Sequence, residues 1–392
     1  METATLENNI EASTTSELST GELSFQVEKE ILLNGLRIVE RATAQKGLQP
    51  VLANILLDAV DKNKINLYAT DFDLTIMTSI EAVVNNIGKI TLPARKLVDI
   101  VSRLSDGIIN FELNGTTMTI KSGKSQFDII GISAMEFPKI EFLTEEDNEV
   151  EIDVKPLVIG IKEAGFAAAP YESNNNLLSG VVCDINKNVL EIASTDGNRL
   201  ARARKIITNK DDKIIKLIVP AKVLQEFLKI SYFIEEDTIK LYTKTNKIMI
   251  KSENITMMSN LMNGQYPQYN QLIPQTFPKE AKVSVAKIVS ALELVSTVVN
   301  EKTNIVKFNF TQNNLSLMAD APEAGKSQSD IDILYSGEDI LIAFNYKYLL
   351  DFLKNVDAED VIICMNTNLS ATVLKPDNEE DYIYLAMPVQ IR

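Results

Sequence analysis

The sequence predicts an α+β chain of three similar domains, and three observations carry that expectation. One block recurs at intervals of about 125 residues: Ile90-Thr91-Leu92-Pro93-Ala94-Arg95-Lys96-Leu97, then Leu217-Ile218-Val219-Pro220-Ala221-Lys222-Val223-Leu224, then Leu341-Ile342-Ala343-Phe344-Asn345-Tyr346-Lys347-Tyr348. Each copy reads as an apolar strand running into an amphipathic helix, with Arg95, Lys222 and Lys347 at the same helical position and an acid four residues on (Asp99, Glu226, Asp351). Smaller landmarks keep the same register. Thr70-Asp71 recurs as Thr195-Asp196, with Ala319-Asp320 in the third copy, and Phe137-Pro138 recurs as Tyr266-Pro267. The period is domain-sized, whereas a solenoid repeats every 20 to 50 residues or so.

The elements follow in the same order in each copy. In the first, a strand at 25–27 leads to a helix over 30–43. Strands at 54–60 and 65–70 flank an Asp-Lys-Asn-Lys turn, a third strand covers 74–82, and the block supplies a helix over 94–104. Strands 108–113 and 117–122 then flank Asn114-Gly115, a pair that tolerates the positive φ of a tight hairpin. The second copy offers a strand at 150–154, a helix over 155–168, strands 178–185 and 189–195, the block helix over 221–230, and strands 238–243 and 247–252. The third offers a strand at 281–285, a helix over 286–299, strands 305–311 and 315–319, the block helix over 346–355, and strands 361–366, 371–375 and 382–387. Prolines 138 and 267 cannot continue a central strand, so the expected domains are 24–147, 148–278 and 279–392, after a disordered tail over 1–23 rich in Glu, Ser, Thr and Asn. Two helices per copy can cover one face of the sheets and leave the other face to a second purpose.

Composition excludes several function classes. At 392 residues the chain can bury a core in each of three domains. No apolar run approaches the roughly 18 to 20 residues that span a bilayer, and the first residues lack the basic start and apolar core of a secretory signal, so a cytoplasmic location is expected. The absence of histidine removes Ser-His-Asp and Cys-His nucleophile schemes and His-ligated metal sites. Cys183 and Cys364 each sit in an apolar, strand-like run and read as buried free thiols. Gly-Lys-Ser at 123–125 and 325–327 lacks the glycine that a phosphate loop needs five residues earlier, Met118 and Asp320 standing there, so both triplets read as turns. Carboxylates such as Asp71 and Asp73, or Glu235, Glu236 and Asp237, are what an acidic chain carries on solvated turns. No metal, cofactor or catalytic residue is expected.

Net charge is −15, which in sum argues against a nucleic-acid partner. Its distribution argues the other way. The six expected helices sum to +5 and leave −20 for the rest, so one class of element is basic in an acidic molecule.

Leu92-Pro93-Ala94-Arg95-Lys96, Thr195-Asp196-Gly197-Asn198-Arg199-Leu200, Tyr266-Pro267 and Met387-Pro388-Val389 together resemble the bacterial sliding clamp, the β subunit of DNA polymerase III, over 25–392. The resemblance implies a DNA clamp fold: three clamp-type domains with sheets outside and two helices each inside, closing as a head-to-tail homodimer into a ring around double-stranded DNA. It implies a non-enzymatic processivity factor, opened and closed by an ATP-driven clamp loader. Sparse cations facing phosphates would give sequence-independent attraction. Lys46, Arg95, Lys96 and Arg103 match basic positions of the first domain's DNA-facing side, and the internal repeat adds Lys222, Lys229, Lys347 and Lys354. The family's pocket takes short linear motifs from the polymerase catalytic subunit, the clamp loader, other polymerases and repair proteins. It matches Leu178, Thr195, Gly197, Arg199, Leu200, Pro267, Leu272, Met387, Pro388 and Val389. The family's ring interface points to Phe127 and Ile129 against Thr297 and Val298. Departures from the family pattern are Asn174-Asn175-Asn176 near the DNA path, Asn198 for a frequent histidine, Gln271 for a basic rim residue and Gln390 for a terminal arginine. The competing readings are a repeat scaffold that gathers proteins through the 178–200 and 385–389 groove, and a carboxylate-dependent hydrolase.

Overall fold

Each repeated block folds as its periodicity requires. A computed structural model describes residues 22–44, 49–144, 148–171, 176–209, 212–300, 303–322 and 324–390. The chain divides into two compact units, one ending at Ile140 and the other beginning at Glu141. Helices α1 (Lys29–Val39) and α2 (Ala94–Arg103) belong to the first; α3 (Val154–Ala164), α4 (Ala221–Ile230), α5 (Val285–Ser296) and α6 (Tyr346–Asn355) belong to the second. Among the described residues no helix is long and apolar enough to cross a membrane.

The block helices bury one stripe each: Ala94, Leu97 and Val101 in α2; Val223, Leu224, Phe227 and Ile230 in α4; Leu349, Leu350, Phe352 and Leu353 in α6. Their basic residues fall on the opposite stripe and are exposed. Pro93 and Pro220 stand at the N-cap, where a missing N–H costs nothing. The third copy uses Asn345 instead, whose Oδ1 accepts the Lys347 N–H at 3.1 Å.

In the first unit one sheet runs in the order Val83–Asn86, Ser24–Glu28, Ile108–Asn114, Thr117–Ser122, Ser125–Ile130. Five further strands run Ile132–Ser133, Lys89–Pro93, Asn54–Ala59, Lys64–Thr70, Leu74–Glu81. The second unit pairs Ile255–Asn260, Lys247–Lys251, Thr238–Lys244 and Asn148–Asp153, and holds a four-stranded sheet of Gly325–Asp332, Asn314–Ala321, Ile305–Thr311 and Ile340–Asn345. Its third sheet is continuous across the second and third repeats: Ile214–Pro220, Gly180–Asn186, Val189–Thr195, Arg199–Ile206, Tyr382–Ala386, Thr372–Pro376, Asp360–Met365, Lys279–Ser284. The seam is antiparallel, with Arg199 opposite Ala386, Leu200 opposite Leu385 and Arg202 opposite Ile383.

Three expectations change. The tail does not run through 23: Leu23 is fully buried and its carbonyl accepts the Leu113 N–H at 2.8 Å, which extends the first strand's pairing into the core. Helices α1, α3 and α5 end several residues short of the sequence reading. In α1 and α3 the last turn tightens into 3-10 geometry, at Glu40–Ala42 and Gly165–Ala167. The Thr-Asp pair, a landmark of register in the sequence, folds as a turn in two of the three copies. Thr70 Oγ1 accepts the Phe72 N–H at 3.1 Å, and Asp71 Oδ1 accepts those of Asp73 and Leu74; Thr195 and Asp196 do the same for Gly197, Asn198 and Arg199. Ala319 has no hydroxyl to close that turn, so the third strand runs on to Ala321 and Asp320 pairs with Lys326 at 3.3 Å. Of the two Gly-Lys-Ser triplets expected as turns, only the first is one, with Gly123 at positive φ; Gly325, Lys326 and Ser327 instead open the strand Gly325–Asp332, paired with Asn314–Ala321. Cys183 and Cys364 are buried within strands, and burial pushes their thiols up to about 12 and about 11.

Candidate functional site

The second residue of α2, of α4 and of α6 is a cation: Arg95, Lys222 and Lys347, all exposed. The acid one turn later meets a further cation in every copy. Asp99 pairs with Arg103 at 3.5 Å, Glu226 with Lys229 at 2.8 Å, and Asp351 with Arg199 at 2.5 Å. Lys354 pairs with Glu293 of α5 at 2.8 Å. Arg95, Lys96 and Lys347 therefore form no ion pair among the described residues, while Arg103, Lys229 and Lys354 do. These last pairs are exposed and cost little to exchange for a phosphate. Lys46, Asn174 and Asn175 lie outside the described residues. The six helices together carry twelve basic and six acidic residues, so their surplus of positive charge exceeds the sequence expectation.

The ten groove positions gather along the seam between the second and third repeats. Leu178 and Leu200 belong to one apolar cluster with Val182, Tyr266, Tyr269, Ile273, Val373 and Leu385. The Thr195–Arg199 turn is tied to the C-terminal segment, since the Met387 N–H donates to the Asn198 carbonyl at 2.9 Å and the Val389 N–H to that of Ala343 at 2.7 Å. Pro267 precedes the 3-10 turn Tyr269–Leu272, which lies over this cluster. Leu200 is 1% exposed and is core. Leu272 and Met387 are not: they are 57% and 42% exposed, apolar side chains left in solvent on segments that adjoin this cluster in the chain. An extended segment with apolar side chains matches such a surface.

Arg199 faces inward. Its side chain is 10% exposed; Nε donates to Asp196 at 3.0 Å, one terminal nitrogen to Asp351 at 2.5 Å, and the other to the Phe166 carbonyl at 3.2 Å. The guanidinium carbon stands 4.6 Å from the Tyr348 ring centre and 5.8 Å from that of Phe166. It thus bolts the groove turn to α6 and to the end of α3. Tyr266, named in the sequence only as a landmark beside Pro267, and Tyr269, which sequence reasoning did not single out, fix the other wall. Tyr266 accepts the Thr195 N–H at 3.1 Å and donates to the Gly180 carbonyl at 3.3 Å, and burial raises its hydroxyl to about 12. Tyr269 donates to Glu191 at 2.6 Å, and Arg204 donates to the same carboxylate at 2.6 Å. Burial works to raise the Glu191 carboxyl, but those two donors outweigh it and hold it below the usual value. Adjacency to Pro267 was the only sequence signal for this wall.

Of the four interface positions, Phe127 is 39% exposed on Ser125–Ile130, an edge strand, whereas Ile129 is buried within its own sheet. Thr297 caps α5 and is exposed, with Val298 half-buried beside it. Helix α5 packs on Gly325–Asp332, the edge strand of the four-stranded sheet, and Ser327 Oγ donates to the Val295 carbonyl at 3.0 Å. Among the described residues no group of His, Cys, Asp and Glu is placed to hold a metal ion.

Family models for the DNA polymerase III beta subunit match in chain order: the N-terminal domain over 23–141, the central domain over 151–268 and the C-terminal domain over 270–390. The beta sliding clamp of Synechococcus elongatus is 33% identical over 367 residues, covering 92% of this chain and 97% of its own. That of Synechocystis is 32% identical with the same coverage. Among solved structures, the DNA polymerase III beta subunit of Thermotoga maritima superposes with a TM-score of 0.87 at 25% identity, over 94% of this chain and 100% of that one. The Pseudomonas aeruginosa sliding clamp bound to griselimycin gives 0.86 at 26% identity, over 95% and 100%. Three domain matches in order and relatives spanning nearly the full length agree with the repeat, the basic helices and the seam groove: the chain belongs to the DNA polymerase III beta subunit family, the beta sliding clamps.

Proposed function

We propose that two copies of this chain close head to tail into a ring around duplex DNA and tether the replicative polymerase and other DNA-processing proteins to it. The observation that carries this reading is the diversion of Asp99 and Asp351 to Arg103 and Arg199, which leaves Arg95 and Lys347 exposed and without ion pairs at matched helix starts. With Lys96, Arg103, Lys222, Lys229 and Lys354 they give phosphates a diffuse positive lining, while the acidic remainder repels DNA elsewhere. Three repeats, breaking near 147 and 278, give each chain three copies of the block. The edge strands Ser125–Ile130 and Gly325–Asp332, with Phe127, Thr297 and Val298 beside them, supply a self-complementary pair of contacts for a C2 ring. The chain has no phosphate loop, so opening draws on a separate ATP-driven loader. The clamp itself performs no covalent chemistry.

The seam groove is the docking site for partners' linear segments, by likeness to the Pseudomonas aeruginosa clamp solved with griselimycin. Two experiments test the reading. The loaded protein should stay on nicked circular DNA and slide off once the circle is cut, and retention after linearisation would refute encirclement. Griselimycin should bind the isolated protein by calorimetry and should lose its affinity when 385–392 are deleted; unchanged binding by the truncated protein would refute the groove assignment.

A further inference from the structure

The sheet seam carries one cation that the fold leaves undersatisfied. Strand Arg199–Ile206 alternates strictly. Arg199 and Lys205 turn toward the helices, where they meet Asp351 of α6 and Glu163 of α3. Leu200, Arg202 and Arg204 therefore share the opposite face, the one covered by the Tyr266–Ile273 segment. Arg204 takes Glu191, whose second oxygen is already held by Tyr269. Arg202 is left with one long bond, from a terminal nitrogen to Asn270 Oδ1 at 3.5 Å, and its Nε is buried with no partner. No acid pairs with it among the described residues. Burial, and then the charge of Arg204 two residues on, push its basicity down. A guanidinium this poorly matched is unusual in a chain with 54 acidic residues to draw on.

Its position gives the deficit a use. Arg202 lies about 7 Å along the strand from Leu200, the groove floor, and beside the Tyr269–Leu272 turn that ends in the exposed Leu272. We propose that Arg202 is a specificity residue of the groove, binding an aspartate or glutamate carboxylate of the docked segment at a fixed spacing from its apolar anchor. The inference rests on the groove reading above. A DNA phosphate is disfavoured as the anion, because Arg202 faces away from the helices that carry the exposed lysines.

The test is a selection of random linear dodecapeptides on phage against the full-length protein, eluted with griselimycin so that only groove binders are recovered. Wild-type selections should enrich Asp or Glu at one position relative to the apolar anchor. Arg202→Gln should abolish that preference, and Arg202→Glu should replace it with Lys or Arg. A synthetic acidic peptide from the selection should lose about tenfold in affinity on Arg202→Gln, while the same peptide with Gln for the acid should be indifferent to the substitution. Circular dichroism and sedimentation that match the wild type certify that each variant is folded. Groove binders without an acidic position would overturn the role of Arg202 and leave the groove standing. Failure of griselimycin to bind the wild type would overturn both.

Discussion

At the scale of single residues, the groove is held by charges that cannot be removed one at a time. Arg199 is nearly buried, and Asp351, about half exposed, supplies its shortest ion pair. Asp351→Ala leaves the cation with Asp196 alone and should cost about 2 kcal/mol in urea denaturation, since an uncompensated buried charge loses more than the pair gains. The same change frees the Thr195–Arg199 turn, so griselimycin affinity should fall with stability; a stability loss with unaltered affinity would separate Arg199 from the groove. Glu191 makes a pH-dependent contribution whose sign follows from its partners. Its folded pKa lies below the unfolded value of 4.5, so it binds its proton less readily in the fold. The stabilisation is present in full above that value and is lost as pH falls through the folded pKa. The gap in unfolding free energy between wild type and Glu191→Gln should be wide at neutral pH and close in more acidic solution. A gap that widens on acidification would contradict the assigned donors.

At the scale of elements, the two copies of the Thr-Asp turn show one backbone shape built from different residues. Gly197 takes φ +93 and Phe72 takes φ +74 at the equivalent place. A methyl group on Gly197 would meet no atom within 4 Å, so Gly197→Ala tests conformation alone and should cost about 1 to 2 kcal/mol, read as a lowered urea midpoint at constant m-value. The sequence showed this pair only as a landmark in register. The block helices were legible as helices, because their 3.6-residue apolar stripes and the prolines before them act within one turn. Strand Arg199–Ile206 was not. Its sequence alternates cations with alanine, and its pairing with Tyr382–Ala386 joins residues from separate repeats, which neither segment encodes alone. The same distance hid Tyr266 and Tyr269, whose hydroxyl partners Thr195 and Glu191 lie more than 70 residues away. Strand Gly325–Asp332 escaped because a polar edge strand lacks an apolar face to betray it.

At the scale of the whole molecule, a chain of net charge −15 must hold DNA with charges it can ill spare, and the repeat is what concentrates them. In the proposed ring six copies of the block would surround the hole, so Arg95, Lys222 and Lys347 would become six cations in the dimer. Each phosphate contact contributes about 0.9 to the log–log salt slope of duplex binding. The triple variant Arg95→Gln, Lys222→Gln, Lys347→Gln should therefore lower that slope by up to about 5 in fluorescence anisotropy on a short duplex. Sedimentation should still report the wild-type dimer, because none of the three lies on the edge strands. Lys216→Gln serves as the control: Lys216 is not on a helix but on the strand that leads into α4, where it pairs with Asp184 at 3.2 Å, and its loss should leave the slope unchanged. Equal slopes for wild type and triple variant would make the registered cations ordinary solvated charges and move the DNA contact to Lys96, Arg103, Lys229 and Lys354. A reduced slope with intact retention on circular DNA would instead divide the labour, with the cations setting how the clamp slides and ring closure alone setting how long it stays.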